Sequence, residues 1–337
     1  MYGCVVRFRN FLFDKGLKRS VRFRVPVVSI GNLTVGGTGK TPHTEYLIRL
    51  LKDHCPTAVL SRGYRRQTKG FVEADAGATP AALGDEPFQM HRKFPDVSVA
   101  VQESRAEGID RLLRLHPDLK LVLLDDAYQH RSVSPSLNLL LIDYARPVWN
   151  DRLLPLGRLR EPASAADRAD IVIFTKCPRS LSAGQRAAMT ARLRLTRGQR
   201  IYFTTLKYGQ VTGNGRSVPE GVPVLAVSGI ASPTPFEEQV RTLSDRVCCL
   251  RFADHHDFKQ KDVDRLSRAF APVKALGGYI LTTEKDYVRM SGNPLLRPLM
   301  NDIFYLPVEI EFLDGEALFK EEIIRHIDTY PYGLQTD

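Results

Sequence analysis

Residues 31–41 read GNLTVGGTGKT, and the run points at phosphate. Gly36, Gly37 and Gly39 free the main chain to turn its N–H groups toward phosphate oxygens. Lys40 can reach the β- and γ-phosphates of a nucleotide, and the Thr41 hydroxyl is a hard oxygen ligand for Mg2+. Thr34, Val35, Gly36, Gly37, Thr38, Gly39, Lys40 and Thr41 are therefore the candidate ATP-binding residues. The formal phosphate-loop pattern wants Gly where this chain has Thr34, but the GGTGKT core is kept.

A nucleotide-bound metal needs a carboxylate at the end of a neighbouring strand. The run LVLLDD, residues 121–126, supplies Asp125 and Asp126 after four apolar residues. Paired acids at a strand end are unfavourable unless a cation or donor meets them. Alone they read as two exposed acids in a loop; beside a phosphate loop they read as metal ligands. An acceptor hydroxyl also needs a base. The run Gly84-Asp85-Glu86-Pro87 offers Asp85, which would equally serve as the N-cap of a helix opened by Pro87. The run Asp254-His255-His256 offers an imidazole, although histidines so placed commonly serve packing. An Asp and a His from two domains, meeting in a cleft, would act together on a hydroxyl proton.

Such groups converge only if strands deliver them. Short apolar runs at 25–30, 57–60, 97–101, 119–124, 137–142 and 171–174 alternate with helical stretches. That rhythm predicts βαβ units and an α/β, P-loop NTPase-like parallel sheet flanked by helices. Most runs are continuously apolar, as strands buried on both faces are. The Pro- and Arg-rich segment 147–162 predicts a long functional loop or lid. Runs at 200–206, 222–227, 246–252, 278–282 and 303–308 predict a second, smaller α/β domain, with the boundary near Pro178. The expected division is an arm over 1–24, a P-loop kinase domain over 25–178 and a second α/β domain over 179–337.

With 43% hydrophobic and 26% charged residues over 337 positions, the chain can bury a core, which excludes disorder as its main state. Its five cysteines form no CxxC pair, which argues for a reducing, cytoplasmic compartment and against a zinc site. Lys and Arg number 48 against 38 acids, a net +10. The first 24 residues hold Arg7, Arg9, Lys15, Lys18, Arg19, Arg22 and Arg24 against Asp14 alone, so +6 of the charge sits in one arm that is also rich in Phe, Val and Leu. That mixture predicts an interfacial helix on anionic lipid rather than a nucleic-acid tail; the other reading is a first helix packed on its own domain.

The ordered set GNLTVGGTGKTP (31–42), SRGYRR (61–66), GDEP (84–87), DDAYQH (125–130), LPLGRLREP (154–162), SGIASPTPF (228–236), DHH (254–256) and TTEKD (282–286) resembles the tetraacyldisaccharide 4'-kinase family of the lipid A pathway, over nearly the whole chain. The resemblance implies transfer of the ATP γ-phosphoryl to the 4'-hydroxyl of a tetraacyl-disaccharide 1-phosphate, at the cytoplasmic face of the inner membrane, with a glycolipid substrate and no nucleic acid. It implies Asp85 as the general base, paired with His255 (or His256), and Asp254 as the group orienting that histidine. It implies Asp125 and Asp126 as Mg2+ ligands, and Arg160 and Glu161 near the transferred phosphoryl or its metal. Gln129 and His130 close the acidic-pair motif. That motif has Gly where this chain has Ala127, so a slightly different turn is expected. Relatives usually carry a further apolar stretch before the equivalent of Tyr2: either the start is miscalled, and membrane affinity judged from these residues is then too low, or this member has a shorter anchor. The competing reading is a nucleotide-switch ATPase of the partition and septum-site class, whose signature Lys falls where this chain has Val35.

Overall fold

The computed structural model describes residues 2–193, 196, 198–213, 218 and 221–332; the outermost residues of the expected arm and second domain, Met1 and 333–337, lie outside them. The chain divides into two compact units, residues 1–206 with 310–337, and residues 207–309.

The strands are β1 (Val27–Asn32), β2 (Thr57–Ser61), β3 (Val72–Glu73), β4 (Ser98–Val101), β5 (Leu121–Asp125), β6 (Leu137–Asp143), β7 (Ile171–Thr175), β8 (Arg200–Tyr208), β9 (Val224–Ser228), β10 (Val247–Arg251), β11 (Tyr279–Thr283), β12 (Ile303–Leu306) and β13 (Val308–Phe312). The helices are α1 (Tyr2–Asp14), α2 (Lys40–Leu51), α3 (Pro80–Leu83), α4 (Asp85–Lys93), α5 (Arg105–Leu115), α6 (Ala183–Arg192), α7 (Thr234–Arg241), α8 (Gln260–Ala275), α9 (Glu284–Ser291) and α10 (Glu316–Asp328).

In the first unit a nine-stranded sheet runs β13-β8-β7-β6-β1-β5-β2-β4-β3. The strands from β8 through β4 pair in parallel, and β3 runs antiparallel to β4. The central strands β1, β2, β5, β6 and β7 are buried at every residue, which is why their sequences lack alternation. One face packs Leu47, Ile48 and Leu51 of α2 with Phe319, Ile323 and Ile327 of α10; the other receives Ile109 and Leu112 of α5. The second unit is a smaller sheet in the order β10-β9-β11-β12, all parallel, with α8 and α9 over one face.

The division differs from the one expected. The strand expected at 200–206 is β8, and it pairs with β7 in the first unit's sheet, one strand in from the edge. The run 303–308 is not one strand: Pro307 lacks the N–H a ladder needs, so β12 ends at Leu306 and β13 starts at Val308 in the other sheet. Residues 310–337 thereby return to the first unit.

Candidate active site

The phosphate loop leaves β1 at the centre of the sheet, at the carboxyl ends of the strands, where open α/β sheets bind ligands. Gly36 and Gly39 hold φ of +107° and +84°, and α2 starts at Lys40. Val35, Gly36 and Gly37 are exposed, whereas Thr34 and Thr38 are buried. The loop is braced from β6 and β7. Thr175 Oγ1 donates to Thr38 O at 2.8 Å. Lys176 Nζ donates to Gly37 O and, at 3.0 Å, to Asp143 Oδ2. His43, one turn into α2, sits 2.7 Å from Gly39 O and 3.0 Å from Thr204 Oγ1; burial pulls it down to about 4, so it adds no charge at neutral pH.

Parallel pairing of β1 with β5 puts Ile30 opposite Asp125, so the acidic pair emerges directly beside the loop. Asp125 is 1% exposed and accepts from Thr44 Oγ1 at 3.0 Å and Ser61 Oγ at 3.3 Å. Burial, then the nearby charges of Glu86 and Asp126, push its carboxyl up to about 7. Burial pushes Asp126 the same way, but the Lys40 ammonium and Arg160 guanidinium overcome it and hold this carboxyl well below the usual range. Lys40 Nζ lies 3.7 Å from Asp126 Oδ1, and Arg160 grips both oxygens, at 2.8 and 3.3 Å. The positive φ that a Gly would ease is taken by Asp126, at +47°, and not by Ala127, so Ala is accommodated one residue later.

These hard oxygens fit Mg2+. A carboxyl driven upward by burial and by two neighbouring acids is one that a cation would relieve. Thr41, on the first turn of α2, supplies a further oxygen. Glu161 stands differently. It is 0% exposed, and its two oxygens meet Arg9 of α1 at 2.8 Å and Arg168 at 2.5 Å. Those contacts tie it to α1 and leave both of its oxygens paired with arginines.

Asp85 is the first residue of α4, with Gly84 in the N-cap position, so Asp85 is not the cap itself. The turn is tight: Gly84 holds φ +90°, and a Cβ there would stand 2.8 Å from Tyr64 O of the SRGYRR loop. We expect Gly84→Ala to cost about 1–3 kcal/mol from backbone strain and to lower kcat by displacing Asp85. Chemical denaturation and steady-state kinetics check this, and an unchanged midpoint with unchanged kcat contradicts it.

In the second unit, His255 follows β10 with φ +55°; its N–H donates to Gly229 O at 3.3 Å, and Lys285 Nζ lies 3.3 Å from its Nε2. Asp254 Oδ1 reaches only 4.0 Å from that nitrogen, so Lys285 is nearer to His255 than the Asp expected to orient it. His256 stacks on Phe252 at 4.9 Å and pairs with Asp262 at 3.0 Å, the contacts of a packing histidine. That favours His255 of the two. Trp149 packs edge-on to Phe174 at 6.0 Å.

Sequence reasoning missed three groups. Asn32, 0% exposed, accepts from Lys40 and Arg160 on its Oδ1 and donates to Thr34 O at 2.9 Å, tying loop, lysine and arginine together. Asp143 and Lys176 brace the loop's apex. Arg105 is 1% exposed, lies within the field of Asp125 and Asp126, and burial lowers it to about 10; its Nε and Nη2 have no hydrogen-bond partner among the described residues. The QESR run at 102–105 carried no signal of that burial.

A family model described as Tetraacyldisaccharide-1-P 4'-kinase matches residues 1–328. The tetraacyldisaccharide 4'-kinase of Bacteroides thetaiotaomicron is 44% identical over 345 residues, spanning 97% of this chain and 91% of that one. The protein of the same name from Flavobacterium johnsoniae is 43% identical over 332 residues, spanning 97% and 94%. Among solved structures, the crystal structure of the "apo" form of LpxK from Aquifex aeolicus in complex with ATP is similar over 97% of this chain and 96% of that one, with a TM-score of 0.75 and 30% identity.

Proposed function

The chain belongs to the tetraacyldisaccharide-1-P 4'-kinase family, and from that premise we propose how its own residues carry the reaction. It is an ATP-dependent kinase that acts on a lipid A precursor, transferring a phosphoryl group to the 4' position of a tetraacylated disaccharide. The regulatory nucleotide-switch reading is set aside.

The observation that carries the mechanism is the register of Ile30 with Asp125, which sets a phosphate loop beside an acidic pair already met by Lys40 and Arg160. The loop's main-chain N–H groups and Lys40 hold the triphosphate. Thr41, Asp125 and Asp126 would hold Mg2+, which would supply charge neutralisation at the phosphate oxygens. Arg160, positioned by Asn32 and by its own N–H to Leu33 O at 2.7 Å, offers a second positive charge to the transferred group. Asp85, held by the Gly84 turn, accepts the proton of the sugar hydroxyl. His255 and Asp254 are assigned to the same chemistry on the strength of the resemblance, with Lys285 Nζ 3.3 Å from His255 Nε2.

Phosphoryl transfer relies mostly on positioning and electrostatics, so the base contributes less than the cradle. Asp85→Ala is expected to lower kcat by about 10²-fold or more while ATP affinity stays within a few-fold. Unchanged kcat removes Asp85 from the base role.

The N-terminal helix is proposed to rest on the inner membrane. Val6 and Asn10 are buried against the unit, whereas Val5, Phe8 and Phe11 are 62%, 63% and 48% exposed on the other side. No helix among the described residues is long and apolar enough to cross a membrane. The catalytic reading is tested with γ-labelled ATP, Mg2+ and a tetraacyldisaccharide 1-phosphate in detergent. Label is expected on the lipid, and label confined to ATP and free phosphate overturns it.

A further inference from the structure

Among the described residues the most exposed large apolar side chain is not on α1. It is Leu156, 82% exposed, in the strap between Pro147 and Pro162. We infer that the tip of this strap is a second membrane-inserting point, seated in the headgroup–acyl boundary of the same anionic bilayer as α1; the inference rests on the membrane reading given above.

The tip is a built turn. Leu156 and Gly157 donate to Leu153 O at 3.1 and 3.2 Å. Leu154 N–H donates to Leu159 O at 3.0 Å, and Leu159 N–H to Arg152 O at 2.9 Å. Asp151 Oδ1 accepts from the N–H groups of Arg152 and Arg158, at 2.7 and 3.0 Å, so the acid at the base is turned onto the loop's own main chain. Arg152 and Arg158 are exposed on either side of Leu156. An apolar tip between two arginines is the arrangement an anionic interface accepts, with the leucine below the phosphates and the guanidiniums among them.

The strap is also fastened to α1. The Tyr2 hydroxyl donates to Arg160 O at 3.0 Å, Leu153 lies against Gly3, and Arg9 pairs with Glu161 at 2.8 Å. Its other side is fastened to the phosphate loop: Leu159 bridges Thr34, and Val35 N–H donates to Arg158 O at 2.8 Å. Leu156 is thus three residues from the partner of Thr34. A tip held in the bilayer would fix the nucleotide cradle at the surface where a tetraacylated acceptor resides. A protein partner would not need the positive flanks or the basic arm, so lipid is the occupant the charges favour.

The test uses the full chain and vesicles of phosphatidylethanolamine mixed with phosphatidylglycerol. Leu156→Asp is expected to lower co-sedimentation about tenfold, with ATP affinity unchanged as the check on folding. In Leu156→Trp, the added indole emission, read against the parent's single Trp149, is expected to shift to shorter wavelength on vesicle addition. The paired substitution Phe8→Asp with Phe11→Asp reports on α1 independently. If that pair loses binding while Leu156→Asp binds like the parent and the indole does not shift, α1 keeps its role and the tip is overturned. If the parent itself does not sediment with vesicles, the membrane reading fails and the tip fails with it.

Discussion

Lys40→Ala is expected to lower kcat by about 10²–10³-fold, the range for removing one preorganised charge from a reacting centre. The Lys40 side chain is 13% exposed and its Nζ meets Asn32 Oδ1 at 3.5 Å and Asp126 Oδ1 at 3.7 Å, so it is positioned before any ligand arrives. Its removal deprives the phosphates of a fixed cation and frees Asn32 to shift. The fold should tolerate the change, because Asp126 keeps both hydrogen bonds from Arg160. The expected result is therefore a large loss of turnover and weakened ATP binding with little change in the unfolding midpoint. Turnover within tenfold of the parent would mean that another group carries this charge.

Asp125→Asn is expected to abolish measurable turnover while affecting stability in the opposite sense. An amide of the same shape still accepts from Thr44, and its nitrogen can donate to Ser61, so the hydrogen bonds of the site survive. The buried negative charge does not. Because the folded carboxyl is raised to about 7, the unfolded chain releases that proton first, and the parent loses stability as pH climbs from about 4 toward 7. The amide has no such loss. Relative to the parent, the variant should be more stable at pH 8 than at pH 5, as measured by denaturant midpoints. Equal differences at the two pH values would mean that Asp125 carries no electrostatic strain without its metal.

The parts of the site that share a local run were legible in the sequence. The loop, Lys40 and the acidic pair each lie at the end of an apolar stretch, and parallel pairing does the rest. Asn32 was not legible, because its role comes from Arg160, which is 128 positions away. Lys176 acts on Gly37 across 139 positions for the same reason. The resemblance places Glu161 near the transferred phosphoryl or its metal; its pairing with Arg9 and Arg168 was not legible, because no spacing rule foretells an ion pair spanning 152 residues. The fold shows the same limit. Continuous apolar runs revealed the buried central strands, but the edge strand β13 and its neighbour β8 carry mixed patterns, and nothing local says which sheet they join. Pro307 did carry a signal, since a strand run interrupted by proline is better read as two.

The account as a whole stands or falls on acceptor dependence. ADP formation should be followed with Mg2+ and ATP alone, with added DNA, at rising protein concentration, and with a tetraacyldisaccharide 1-phosphate. The expected result is ADP only with the disaccharide, in step with the lipid phosphorylated. ADP formed at the same rate without the lipid, or accelerated by DNA or by self-association, would contradict a kinase whose nucleotide cradle serves a saccharide hydroxyl.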